Sequence, residues 1–153
     1  MNYLNFSLIF MAIHTASYIL AGVVALNISQ DLYEGDTRLM DFLVDPQLEG
    51  PGSFMLVKVL PAQVLRGLLM SVVLYPIAGF LGDLSFFFKF LFFAGLLYIY
   101  TDLSSAAPFP SNLEGIVYMK GEYVSSGVFW KLQVEMVIYS LLFGLFASWL
   151  LFL

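Results

Sequence analysis

Four stretches without a single Asp, Glu, Lys or Arg constrain this chain more than any other feature. Residues 1–30 form the first, and further charge-free runs cover 67–82, 90–101 and 136–153. A helix needs about 20 mainly apolar residues, within a range near 17–25, to cross a bilayer. The first and last runs meet that length almost alone. The middle two meet it once one or two charges near their ends are admitted.

Composition points the same way. Apolar residues make up 61% of the 153, charged residues only 11%, and the mean hydropathy is +0.90. Soluble domains carry about 25% charged and 45–50% apolar residues. A soluble domain of this size would leave about a third of its extended-state surface in water, and this chain has too little polar surface to cover that area. Lipid resolves the conflict. The predicted fold is therefore all-α, an integral membrane four-helix bundle in one domain, with spans at about 3–28, 55–80, 86–103 and 125–153. Met1–Asn5 has no basic side chain, and the apolar segment runs to about Asn27. That pattern suits a retained membrane helix better than a secretory signal.

Turn chemistry divides the spans. Glu49-Gly50-Pro51-Gly52 closes a long acidic loop at 29–54, and Gly82-Asp83 centres a tight connection at 79–85. Pro108 and Pro110 forbid a regular helix at the start of a second long loop, 104–123. Short interfacial helices are expected at 36–44 and 113–119. Pro61 is tolerated near the start of the second span, and Pro76 is expected to kink its far end. Four spans place both long loops on one side.

Membrane helices associate through small residues that let backbones approach. Ser17, Ala21 and Ala25 form one i+4 row in the first span, and Ser140, Gly144 and Ser148 form another in the last. Gly67 and Ser71 offer a shorter patch in the second, Ala94 and Gly95 in the third. Phe86, Phe87, Phe88, Phe90, Phe92 and Phe93 crowd the third span, which is read as the one most exposed to lipid.

Several function classes drop out. The net charge is −5 with a pI of about 4.5, and the six Lys and Arg are dispersed, so no basic footprint for nucleic acid exists. Cys is absent, which excludes disulfides, thiol catalysis and Cys-ligated metals. A single His forbids a multi-His metal site within one protomer. No phosphate-binding loop, dinucleotide-binding glycine pattern, HExxH or GxSxG is present, and nothing in the chain names a cofactor.

Orientation follows the distribution of Lys and Arg, since acids contribute little to topology. The long-loop side holds Arg38, Lys58, Lys120 and Lys131, whereas the terminal side holds Lys89. Cytoplasmic long loops and external termini are expected.

Polar residues gather at one depth. At 1.5 Å rise per residue, Arg66 lies about 25 Å from Asp83, Asp102 about 25 Å from Ser85, and Glu135 about 27 Å from Leu153. Tyr18 lies about 25 Å from Met1, and His14 one turn deeper on the same face. Gln63 shares a face with Arg66, and Lys131 is stacked over Glu135. With a hydrocarbon core roughly 30 Å thick, these side chains form a layer beneath the long loops. Charged groups at such depth usually face the bundle interior or water.

That layer has three readings. Arg66, Glu135, His14, Tyr18, Asp102 and Gln63 line a site that binds or conducts a small molecule, lipid headgroup or ion. Alternatively, Arg66 and Glu135 form a structural clamp in an accessory or assembly subunit. A third reading is an intramembrane enzyme using Glu135, Asp102 or His14. The lipid bilayer is the certain partner of such a chain; a homo-oligomer or larger membrane complex is compatible with all three. His14 suits a neutral hydrogen bond to Ser, Thr or Tyr across the helices, or proton transfer. The segment Pro108–Gly115 reads either as a lid bearing Asn112 and Glu114 or as a surface crossover.

Overall fold

A computed structural model describes residues 2–153. The described chain is all helix and loop, and four of its helices are long and apolar enough to cross a membrane. Helix α1 is Tyr3–Tyr33, α2 is Pro51–Asp83, α3 is Phe86–Leu103, and α5 is Ser126–Leu150, with a short α4, Leu113–Tyr118, in the second long loop.

Local chemistry sets the helix ends. The Asn2 side chain caps α1 by accepting from the Asn5 amide at 2.9 Å. The Glu49–Gly52 turn signal marks the start of α2: Gly50 has φ +81°, which favours glycine, and Pro51 takes the first helical position, where no amide donor is needed. Helix α2 runs through Gly79–Asp83, so the predicted seven-residue connection narrows to extended Leu84 and Ser85.

Helix α2 is not uniform. Its Met55–Val59 turn is a π-helix, with the Leu60 amide reaching back to the Met55 carbonyl, immediately before Pro61. A proline ring clashes with the carbonyl four residues earlier, and the wide turn gives it room. Tyr75–Ile77 is a 3₁₀ turn around Pro76, and Ile77 leaves helical dihedrals at φ −105°, ψ 6°. The second half of α3, Leu96–Leu103, is again π-helical.

Packing follows the small residues. Ser17, Ala21 and Ala25 on α1 are buried, as are Ser140, Gly144 and Ser148 on α5 and Gly67 and Ser71 on α2. A Cβ added to Gly67 would stand 2.9 Å from the Met11 Cα, and one added to Gly144 would stand 2.9 Å from the Ala94 Cβ. These are backbone-to-backbone approaches that larger residues would prevent. The extensive interfaces join α1 to α2, α1 to α5, and α3 to α5. No comparable interface joins α2 to α3. The helices thus follow one another around the bundle as α2, α1, α5, α3, and the circuit is open between α2 and α3.

The central core lies in the half away from the long loops. Phe10, Phe93 and Phe143 meet there with ring centroids 5.4–6.4 Å apart, flanked by Phe6, Ile13, Leu81 and Leu151. Phe86, Phe87 and Phe88 are exposed, in line with the expected lipid-facing role of α3, although Phe93 is wholly buried. A second, smaller core of Leu32, Met40, Val128 and Leu132 sits under the loops with Phe109 against it.

Both long loops occupy one end and touch. Phe42 stacks edge-on against Phe109 and Tyr123, and the Tyr123 hydroxyl donates to Asp41 at 2.8 Å. That carboxylate pushes the Tyr123 phenol above its usual range. The expected interfacial helix at 36–44 does not form; the segment is a series of turns. Several of its polar groups bond locally instead: Arg38 bonds the Gly35, Asp41 and Leu43 carbonyls, and Asp45 caps the Gln47 amide. The 113–119 expectation corresponds to α4, capped by the Asn112 side chain on the Gly115 amide at 2.8 Å.

Candidate functional site

Beneath the loops, α1 does not stop near residue 28. It continues to Tyr33 through a local break at Ser29, whose φ −125°, ψ 19° leave the helical region. This extension carries two hydroxyls into the polar layer. The Ser29 hydroxyl lies between the Ala25 carbonyl, at 2.8 Å, and one Glu135 oxygen. The Tyr33 hydroxyl donates to the other Glu135 oxygen at 2.8 Å. Glu135 is thereby held by α1, with a neutral donor on each carboxylate oxygen.

The Arg66–Glu135 clamp expected from sequence is not made. No ion pair within 4 Å joins the two among the described residues, and Lys131, one turn from Glu135 on α5, pairs with Asp31 at 2.6 Å. The physical reason lies in connectivity. Helix α1 stands between α2 and α5 as their common neighbour, and its extra turn brings Ser29 and Tyr33 to Glu135 first.

Asp102 is also engaged by a hydroxyl. It sits in the π-helical end of α3, only 8% exposed, and its Oδ1 accepts from Ser111 at 2.7 Å. The Ser111 carbonyl accepts from Gln133 Nε2 at 2.5 Å, and Gln133 Oε1 accepts from Tyr98 at 2.7 Å. A chain of polar contacts therefore ties the second loop to α3 and α5. Gly115 lets the loop fold this tightly, because a Cβ there would collide with the Phe109 carbonyl. Ser111 and Asn112 are buried, whereas Glu114 is half-buried in the first turn of α4. Asn112 is spent on capping and on the Ala107 carbonyl at 2.7 Å.

His14 is fully buried, with Nε2 3.0 Å from the Tyr139 hydroxyl and its ring edge-on to Phe143. Tyr18, one turn along α1, packs edge-on against the same Tyr139 at 5.7 Å. Gly67 lies against His14, which sets α2 close to α1 at this level.

Arg66 is the centre of the arrangement. It is half-buried, one turn from Gln63 on α2, and its charge acts on His14, Tyr18, Tyr139 and Asp102. Yet its guanidinium makes no hydrogen bond and no ion pair among the described residues, although it carries five N–H donors. Two buried acceptors at the same level also lack partners there: Asp102 Oδ2 and Gln63 Oε1. Buried polar atoms are nearly always hydrogen-bonded. Among the described residues the other buried atoms without a partner are Arg38 Nε and the hydroxyls of Ser7, Thr15, Ser17 and Ser140.

The six residues expected from sequence are thus unequal. Arg66 lies within electrostatic reach of His14, Tyr18 and Asp102, with Gln63 one turn away on α2, while Glu135 is bonded by Ser29 and Tyr33 of α1. Ser29, Tyr33, Ser111, Gln133 and Tyr139 complete the layer and were not anticipated. Tyr139 lies four residues beyond Glu135, one turn deeper on the same face, a spacing that could have revealed it. Ser29 and Tyr33 were hidden by ending the first helix at its last apolar run, and Ser111 by the lack of any local signal for the return of the loop.

No group of three or more His, Asp and Glu side chains among the described residues is placed to hold a metal ion. No family model matches the chain, and no curated protein or solved structure matches it either.

Proposed function

We propose that this chain is an integral membrane protein of four spans whose long-loop end binds a ligand bearing an anionic group, with Arg66 as its anchor. The observation that carries the reading is the unsatisfied guanidinium of Arg66. Two carboxylates lie in the same layer, and both are bonded by hydroxyls rather than by the arginine. An unpaired charge below the headgroups is costly, and an arginine fork is suited to phosphate or carboxylate. The open side between α2 and α3 gives a bilayer-borne ligand a lateral path to it. Glu135 braces α1 against α5, and His14 with Tyr139 closes the floor. The accessory-subunit reading loses its Arg66–Glu135 clamp, since no such ion pair is made among the described residues.

Cytoplasmic long loops remain the preferred orientation, on the Lys and Arg distribution. The chain has no native Cys, so Leu48→Cys, at a site 83% exposed, reports sidedness through a membrane-impermeant thiol reagent.

The binding reading is tested in bilayer nanodiscs containing dioleoyl phosphatidylglycerol or neutral diacylglycerol, with retained lipid measured by native mass spectrometry. A charge-assisted hydrogen bond contributes about 1.5–3 kcal/mol, so Arg66→Gln is expected to weaken phosphatidylglycerol retention by about ten-fold to a hundred-fold. Lys89→Gln, at the opposite end, is the control. Equal retention by wild type and Arg66→Gln would refute the proposal.

A further inference from the structure

We infer that a second site lies at the opposite end of the bundle: a cavity beside the interrupted end of α2 that takes a neutral amphiphile with a hydroxylated head, in the manner of a monoacylglycerol. It is separate from Arg66 and from the layer beneath the long loops.

The cavity has a volume of about 670 Å³, within the range of roughly 300–1,000 Å³ usual for small-molecule sites. Three segments enclose it: the start of α1 at Phe6, the end of α2 from Tyr75 to Asp83, and the turn after α5 at Leu151 and Phe152. Contacts between these segments fix its shape. Tyr75 packs edge-on against Tyr3 at 4.9 Å and Phe6 at 5.7 Å, which joins α2 to α1 on one side. Across the cavity, a Cβ added to Gly82 would touch the Phe152 ring at 3.4 Å, and that ring lies 6.2 Å from Phe93 of α3.

The local sequence accounts for the space. Pro76 has no amide to continue the ladder, and Ile77 leaves helical dihedrals just after it. The turns that follow line the cavity with Ala78, Gly79 and Gly82, which offer little or no side chain. A Cβ added to Gly79 meets nothing within 4 Å, so the space beside it is empty. Phe6 and Leu151 are wholly or almost wholly buried and give the cavity a fixed apolar floor.

Its polar groups select the head. Asp83 is exposed and makes no ion pair among the described residues, and Tyr75 brings a hydroxyl to the same lining. Lys89 does not line the cavity, but its ammonium lies 4.8 Å over the Phe152 ring. An anionic head would meet the Asp83 carboxylate, and a cationic head would enter beside the Lys89 charge. A hydroxyl both donates and accepts, so it can give to Asp83 and take from Tyr75 without adding charge. Asp83 ends α2 at the two-residue connection to α3, which places the head at the water boundary and the chain on the apolar floor.

The experiment measures retention of monooleoylglycerol, oleoyl lysophosphatidate and oleylamine on the full chain in nanodiscs by native mass spectrometry. A hydrogen bond to a charged group is worth about a factor of ten or more in binding. Wild type is therefore expected to retain monooleoylglycerol at least about tenfold over either charged amphiphile. Gly79→Leu fills the cavity from its own wall and favours the helix; it is expected to lower that retention about tenfold or more. Gly22→Leu, on α1 where a Cβ also meets nothing within 4 Å, is expected to leave it unchanged. Asp83→Lys, at an exposed site, is expected to turn the preference toward lysophosphatidate, so the reading does not depend on one variant. Equal retention of the three amphiphiles by wild type, or a preference for oleylamine, would overturn the neutral head. Retention by Gly79→Leu at the wild-type level, or an order unchanged in Asp83→Lys, would overturn the site.

Discussion

Replacing Gly144 by alanine adds one methyl group at the tightest point between α3 and α5. The new Cβ would stand 2.9 Å from the Ala94 Cβ, 3.1 Å from the Ala94 amide nitrogen and 3.1 Å from the Phe90 carbonyl oxygen. Ordinary carbon–carbon contact is about 3.5–4.0 Å, so the methyl overlaps Ala94 by about 0.6 Å or more. Two of the three obstacles are backbone atoms and the third is a Cβ, so no side chain can rotate aside. Helix α3 must move outward as a body, which loosens Phe93 against Phe143, the neighbours of Ala94 and Gly144 in sequence. Overpacking of this kind costs about 1–3 kcal/mol. Lipid tails are as apolar as the helices, so close packing supplies much of the association energy, and about 2 kcal/mol is the value expected. That corresponds to about a thirty-fold shift in the unfolding equilibrium. Reversible unfolding in mixed micelles titrated with dodecyl sulfate measures it. Gly22→Ala is the matched control, since a Cβ there meets nothing within 4 Å; it should be neutral or stabilising by up to about 1 kcal/mol. If Gly144→Ala and Gly22→Ala shift the midpoint alike, close α3–α5 packing through Gly144 is refuted.

Three further outcomes follow from the polar layer and the loops. Glu135→Gln weakens two hydrogen bonds to a carboxylate, and Tyr33→Phe removes one; each is expected to cost about 1–2 kcal/mol in the same unfolding assay. No change in either would mean that Glu135 does not brace α1. His14→Phe and Tyr139→Phe each strand the buried partner, at about 1–3 kcal/mol. The double variant should cost less than their sum by about 1 kcal/mol, and strict additivity would show that the 3.0 Å contact contributes nothing. Tyr123 titrates above its usual 10.0 because its hydroxyl donates to Asp41. The protonated phenol favours the folded loops, so this contribution is present below pH about 10 and disappears as pH rises through the raised midpoint. The phenolate absorbance of wild type minus Tyr123→Phe should show Asp41→Asn returning that midpoint toward the usual range.

Much of the architecture is legible in the sequence. The four apolar helices, the burial of Ser17, Ala21, Ala25, Gly67, Ser140 and Gly144, and the exposure of Phe86–Phe88 follow from period and residue size, which act locally. The gathering of polar side chains beneath the long loops also followed from counting along helices. Partner choice within that layer did not. Arg66 and Glu135 share a depth, but depth gives no azimuth, and an ion pair requires two helices to face one another. Helix α1 intervenes and fills Glu135 with its own hydroxyls. The limits of α1 and α2 were misjudged for a related reason. Asp31 and the Gln30–Asp31 region look like loop by composition, yet capping by neighbouring segments and the Lys131–Asp31 pair carry the helix onward to Tyr33.

The sequence by itself determined that this chain needs an apolar solvent, that its backbone can satisfy its hydrogen bonds there only as helices, and that its polar residues crowd one end. Those conclusions depend on counts and spacings along a single strand. Only the tertiary structure decided that the helices run α2, α1, α5, α3 with an open side, that both carboxylates are claimed by hydroxyls, and that the Arg66 guanidinium has no partner among the described residues. Those are relations between segments distant in sequence, which depend on close helix approaches such as those at Gly67 and Gly144.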